Sequence, residues 1–196
     1  MLLIQQGEVS IRKMEPCPHD FVLFLKWMTD PNTMKYWEGM TEHFTYERVE
    51  QEYREHMEEN VEQCIISYGQ REVGYCQFCL LDAPLFEVPQ DQYDRFVAPG
   101  ELAYGIDILI GEVECRNRGI GTKALIALMQ ALFVQYHADI LMIDPKVQNA
   151  RAIRCYHKCG FRDLFVVPHR ELQDGIYHDS LIMGVKKVAF FASSAC

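Results

Sequence analysis

The stretch Arg116-Asn117-Arg118-Gly119-Ile120-Gly121-Thr122 lies between an apolar run, Ile106 to Ile110, and a helix-like segment, Lys123 to Tyr136. Arginines and glycines at a helix start make a place to hold a phosphate. Glycine lets the backbone approach an anion closely and take φ values closed to other residues. The unpaired N–H groups of the first helical turn then point at the ligand. An R-x-x-G-x-G turn also occurs as an ordinary helix cap; here its place between a strand and a helix favours the anion site.

The pattern outward from this turn is regular. Upstream, Leu102 to Ile110 reads as a strand. Downstream, Leu125, Leu128, Met129, Leu132, Phe133 and Tyr136 trace one helical stripe. Ile140 to Ile143 is a short apolar strand of the kind buried on both faces, ended by Asp144-Pro145. Ala150 to Cys159 follows as a helix, with Asn149 as N-cap and Gly160 at its end. Phe161 to Val167 and Tyr177 to Lys186 make a final strand pair across a polar turn region, and the last residues read as a frayed tail.

Towards the N-terminus, Val9 to Lys13 reads as an opening strand. Phe21, Phe24, Leu25 and Met28 recur at helical spacing within Asp20 to Met28, and Asp30-Pro31 stops that helix. Tyr46 to Asn60 is charged and reads as a solvent-facing helix. Cys64 to Tyr68 and Glu72 to Leu81 form an antiparallel hairpin around Gly69-Gln70. Asp82 to Gly100, rich in Pro, Asp and Gln, reads as a long loop of the kind that carries function. No repeat or linker interrupts the 196 residues, which read as one domain, 1–196, of α+β or α/β class with a mixed sheet.

Composition narrows the function. Hydrophobic residues are 49% and charged residues 24%, as in an ordinary globule. No run approaches a membrane span, and MLLIQQGEVS has neither a basic lead nor a cleavage site, so a cytoplasmic protein is expected. The net charge of −9 disfavours nucleic acid and suits a cationic small molecule if part of that charge lines a cleft; plain solubility accounts for it equally. The eight cysteines read as reduced core residues. Cys76 and Cys79 face opposite ways in a strand, and Cys155 and Cys159 share a helical face without partners at zinc-like spacing, so no metal is expected.

The order strand, R-N-R-G-I-G-T, helix, short strand, N-x-x-A-I-R-C-Y-x-K-C-G-F resembles the GNAT N-acetyltransferase superfamily, whose acetyl donor is acetyl-CoA (acetyl-coenzyme A). Gly74-Tyr75-Cys76-Gln77, Tyr104-Gly105-Ile106-Asp107, Gly119 to Lys123, and Asp144-Pro145 through Asn149 to Phe161 resemble most the aminoglycoside 6′-N-acetyltransferases, with weaker support from Trp27 and Tyr36-Trp37. The resemblance covers residues 9–186. It implies an acyl-CoA N-acyltransferase fold with a mixed central sheet splayed around the acetyl-CoA site and flanked by helices.

The resemblance also implies roles. The backbone of Arg118 to Thr122, through Gly119, Ile120 and Gly121, would cradle the pyrophosphate, with Arg116 and Arg118 adding charge there or at the ribose phosphate. Asn149 would bond the pantetheine or adenylate arm, cap its helix, or both. A backbone N–H near Ile108 to Ile110 would face the thioester carbonyl. Asp107 lies inside an apolar strand on the face of Leu109, opposite Ile106 and Ile108, so its carboxylate needs a partner or water. It is either a structural hydrogen bond or salt bridge, or the base that binds the substrate ammonium and takes its proton, because only the neutral amine attacks a carbonyl. Tyr156 is a packed tyrosine or the acid for the departing thiolate.

Asp144, at the C-terminal end of the buried strand where ligands gather, is a turn residue or a ligand for a second amino or hydroxyl group. Tyr36 and Trp37 would floor the pocket of a cationic sugar. Glu87, Asp91 and Asp94 would complete a negative wall. Transfer would be direct, without a cysteine nucleophile, Cys115 being the thiol to check. Other amines fit the same machinery: a hydroxylysine-type siderophore precursor, a polyamine or a protein N-terminus. A non-catalytic acyl-CoA sensor would have no use for Asp107. A monomer or homodimer is expected.

Overall fold

In a computed structural model, which describes residues 1–193, eight strands form one sheet in the order β1-β2-β3-β4-β5-β6-β8-β7. The chain runs β1 (Leu2–Gln6), β2 (Val9–Lys13), α1 (Pro18–Met28), α2 (Pro31–Met34), α3 (Tyr46–Glu58), β3 (Glu62–Tyr68) and β4 (Arg71–Leu81). It continues with α4 (Gln90–Tyr93), β5 (Ala103–Ile110), α5 (Ile120–Gln135), β6 (Ile140–Ile143), α6 (Ala150–Lys158), β7 (Arg162–Gln173), β8 (Ile176–Lys186) and α7 (Lys187–Ser193). The mixed α/β class and the central sheet match the expectation.

The sheet is antiparallel except between β5 and β6. Parallel neighbours need a crossover, and α5 supplies it. The β5–β6 pairing is brief: Ala103 faces Ile140, Tyr104 faces Leu141 and Gly105 faces Met142. Beyond Gly105, β5 stays on β4 as far as the Gly74–Ile110 pair. The chain after β6 instead follows β8, through Leu181 N–H to Pro145 O at 2.8 Å and the Lys146–Ser180 bridge. The sheet therefore opens like a wedge between Asp107 and Asp144.

Each sheet face has its own core. Ile106 and Ile108 join the cluster under α5, where Ala124, Leu125, Leu128, Leu132 and Phe133 are all buried. The opposite face carries Ile65, Tyr75 and Leu109 against Phe21, Phe24, Trp27 and Met28 of α1. Alternation along β5 thus puts Asp107 on the α1 face, away from α5.

Five readings change. The apolar start forms β1, paired with β2, so it extends the sheet. Asp30-Pro31 ends α1 and also begins α2: the Asp30 carboxylate accepts from Asn32 N–H at 3.2 Å, and proline suits the first helical position. The β7–β8 hairpin is longer than the pattern indicated and turns through Asp174 and Gly175, both at positive φ (53° and 76°). The tail forms α7, and Phe190 packs on Phe133 with ring centroids 5.2 Å apart. Asp82 to Gly100 holds the short helix α4 and its own core of Ala83, Phe86, Val88, Tyr93 and Val97.

Candidate active site

The wedge holds a cavity of about 550 Å³. One end is built from α5 and α6, the other from the segment after α1 and the β7–β8 hairpin. Asp107, Ile108 and Ile110 form its β5 wall.

The α5 end is suited to an anion. Gly119 is the N-cap at φ 77°, which excludes most side chains, and a Cβ there would meet nothing within 4 Å, so the space over the turn is open. No side chain caps the helix, which leaves first-turn N–H groups unpaired beside Gly121 and Thr122 in the cavity lining. Ile120 is 2% exposed and anchors the turn through its side chain in the α5 core. Asn149 lines the cavity while its Oδ1 accepts from Ala152 N–H at 3.2 Å, so the cap role uses the oxygen and leaves the amide nitrogen.

The two arginines of the motif differ in place, Arg116 lining the cavity and Arg118 not. Arg116 is tied into the protein: Nη2 donates to Asp30 Oδ2 at 3.0 Å, Thr33 Oγ1 at 2.8 Å and Gly111 O at 2.9 Å, and Nε donates to Ile110 O at 2.8 Å. It joins the loop to α2 through Nε and Nη2 while still lining the cavity. Arg118 is exposed and outside the lining. The other cations lining this end are Arg151, Arg154 and Lys158 of α6. Their i, i+3, i+7 spacing marks one helical face, a signal present in the sequence and overlooked.

The opposite end is acidic. Gln77 Nε2 donates to Asp107 Oδ2 at 2.9 Å, and Tyr75 OH donates to Gln77 Oε1 at 2.8 Å, so the buried tyrosine fixes the amide that orients the carboxylate. Burial in the wedge, then the charge of Asp144, pushes the Asp107 carboxyl up to about 7, against the pull of Gln77. Asp144 is also raised by burial and is held back by Arg170, whose Nη2 lies 3.0 Å from its Oδ2. Glu38 and Glu171 complete the acidic lining, Glu38 being raised by burial and then by the charge of Glu52. Lys146, 5% exposed, pairs with Glu171 at 2.6 Å.

Glu87 does not belong to this wall. It is exposed at φ 52° on the loop over the third core and lines no part of the cavity, and Asp91 and Asp94 are likewise exposed and outside it. Ala83, Phe86, Val88, Tyr93 and Val97 of the loop turn inward, and its carboxylates turn to solvent. Glu38 and Glu171, which replace them, come from segments with no acidic run or motif, so only the fold brings them to Asp107.

Tyr36 and Trp37 line the cavity, Trp37 standing edge-on to Tyr75 with centroids 6.0 Å apart. Their segment is held from the far side of the wedge. Lys146 Nζ donates to the carbonyls of Tyr36 and Trp37, each at 3.4 Å, and Gln173 Nε2 to Met34 O at 3.3 Å. Asp174 accepts from Met40 N–H at 2.9 Å and Thr41 N–H at 2.8 Å.

Tyr156 is 8% exposed and lines the cavity. Burial, then the charge of Asp107, raises its hydroxyl far above the usual tyrosine range, so it stays protonated and keeps a proton to donate. Among the described residues, the grouping of His19, Asp20 and Glu72 could ligate a metal, but it lies outside the cavity and Arg12 pairs with both carboxylates at 2.6 and 2.5 Å.

Comparison with known proteins agrees with this geometry. The family model described as "Acetyltransferase (GNAT) domain" matches residues 17–167. The chain is 28% identical over 156 residues to the aminoglycoside N(6′)-acetyltransferase type 1 of Klebsiella pneumoniae, across 78% of this chain and 73% of that protein. The structure of AAC(6′)-Ib in complex with ribostamycin and coenzyme A superimposes with a TM-score of 0.75 at 25% identity, covering 94% of this chain and 97% of the other. The spermidine N-acetyltransferase of Vibrio cholerae, in complex with CoA and spermine, shares the fold with a TM-score of 0.73 at 16% identity, over 95% and 99% of the two chains. With an uncapped helix start and a buried carboxyl facing one wedge, and a family match over most of its length, this chain belongs to the GNAT acetyltransferase family and is an acetyl-CoA-dependent N-acetyltransferase.

Proposed function

We propose that the acceptor is an aminoglycoside and that the acetyl group goes to its 6′-amine. The observation that carries this reading is the grouping of Glu38, Asp107, Asp144 and Glu171 around the cavity that also holds the uncapped α5 start. Lys146 and Arg170 offset only part of that charge. A polycationic sugar meets carboxylates on several sides, and Tyr36 and Trp37 offer rings for its faces. The relatives named for aminoglycosides support the same class.

Acetyl-CoA supplies an activated acyl thioester. Gly119, Gly121 and Thr122 hold its phosphates on backbone N–H groups, and the α6 cations add charge. Asp107 binds the acceptor ammonium and takes its proton, directly or through water. A carboxyl poised near 7 suits that task, because it is ionised enough to accept a proton and basic enough to keep it. Tyr156 offers its proton to the departing sulfur. The β5 backbone, opened by the loss of pairing to β6, offers N–H groups to the thioester oxygen.

The test is coenzyme A release from acetyl-CoA over a panel of amines. We expect release with 6′-amino aminoglycosides and none with their 6′-hydroxyl counterparts. Release with spermidine or free amino acids alone overturns the aminoglycoside assignment and leaves the family chemistry in place.

A further inference from the structure

Cys155 has no task in direct transfer, yet it lines the cavity beside the phosphate-binding turn. Its Sγ lies 3.3 Å from Thr122 Oγ1, in the first turn of α5. Cys159, one helical turn further and 5% exposed, sits against the same turn, with Sγ 3.8 Å from Thr122 O. The seven cysteines among the described residues are free thiols; Cys64, Cys76, Cys115 and Cys159 are buried, and the half-buried Cys17 and Cys79 stand outside this cavity.

The surroundings favour the Cys155 thiolate. The Cys159 thiol and the Thr122 hydroxyl hydrogen-bond to it, and Lys158 and Arg151 add positive charge; together they outweigh burial and bring it down to about 6. Burial instead pushes Cys79 up to about 11. Thiolate character with access to the cavity makes a site-selective nucleophile.

We propose that Cys155 is a thiolation site, a nucleophile on the wall of the cleft that exchanges with anionic low-molecular-weight disulfides and thereby shuts out acetyl-CoA. With glutathione disulfide the balance is complete. The Cys155 thiolate attacks one sulfur, the reagent's S–S bond breaks, a Cys155–glutathione disulfide forms, and one glutathione thiolate leaves and takes a proton from water. Arg151, Arg154 and Lys158 on the same helix attract the reagent's carboxylates. The adduct then occupies the space beside Thr122, which blocks the phosphates; this consequence rests on the assignment of the α5 turn to coenzyme A.

The experiment treats the whole protein with glutathione disulfide, maps the adduct by peptide mass, and measures coenzyme A affinity before and after. One adduct at Cys155, a loss of affinity of at least about tenfold, recovery with dithiothreitol, and suppression of the adduct by saturating coenzyme A are expected. Cys155→Ser, scored against its own untreated activity, is expected to resist inactivation. No adduct at Cys155 in the wild-type protein, or one confined to Cys17 and Cys79, overturns the proposal without recourse to any variant. So does an adduct that leaves affinity unchanged. If untreated protein does not bind coenzyme A, the assignment of the turn fails, while the adduct map still decides the reactivity of Cys155.

Discussion

Asp107 shows how a carboxylate at one strand position is tuned by its surroundings. Its pairing partner across the sheet, Gln77, donates the hydrogen bond that favours the charged form, while burial and Asp144 oppose it. Asp107→Asn is expected to lower turnover at least about tenfold, within the range of general-base catalysis, with acetyl-CoA affinity nearly intact; unchanged turnover removes Asp107 as base. In the wild type kcat/KM for the amine should rise with pH through about 7, and Gln77→Met should move that limb to higher pH because the bond to the carboxylate is lost. The sign for stability is opposite. Between about 4, the unfolded carboxyl pKa, and about 7, the folded state keeps a proton that the unfolded state releases, so the Asp107 contribution falls as pH rises through that window. Asp107→Asn should therefore gain more denaturant resistance at pH 8 than at pH 5, and equal gains would contradict the raised pKa. Asp107 was legible from alternation within β5. The structural fate of Arg116 was not, because its partner Asp30 lies 86 residues away.

At the scale of elements, the wedge depends on β5 staying with β4. A Cβ at Gly74 would lie 2.2 Å from Leu109 O, so only glycine permits this approach in the strand pair beneath Asp107. Gly74→Ala should cost about 1–3 kcal/mol through backbone displacement, read as a lower urea midpoint; an unchanged midpoint would mean the pair can relax freely. The β7–β8 hairpin acts on the acceptor side through Asp174, which bonds Met40 and Thr41. Asp174 has φ 53°, so Asp174→Gly removes the carboxylate without backbone strain. Its expected effect is a several-fold rise in KM for the amine with KM for acetyl-CoA unchanged, and equal rises in both would assign the hairpin a general structural role. Strand and helix periods marked most elements here. The hairpin's hold on the Tyr36–Trp37 segment left no local trace.

Across the whole molecule, the net charge of −9 is distributed with purpose: α6 presents cations at one end of the cavity and carboxylates gather at the other. Raising ionic strength from about 0.1 to about 1 M shortens the Debye length from about 10 to about 3 Å, so KM for a polycationic acceptor should rise several-fold. A salt-independent KM would mean that the carboxylates act only in contact. By itself the sequence determined the family fold, the glycine turn that starts α5, the strand register of Asp107 and the Asn149 cap, because each is written in local period or in a motif of adjacent residues. Only the tertiary structure decided which charges meet. Glu38, Glu171, Lys146 and Arg170 join the site, Arg116 is tied to Asp30 at its edge, and Arg118 and Glu87 stand outside it, because pairing in a buried wedge depends on segments distant in the chain and on which side chains the cores turn inward.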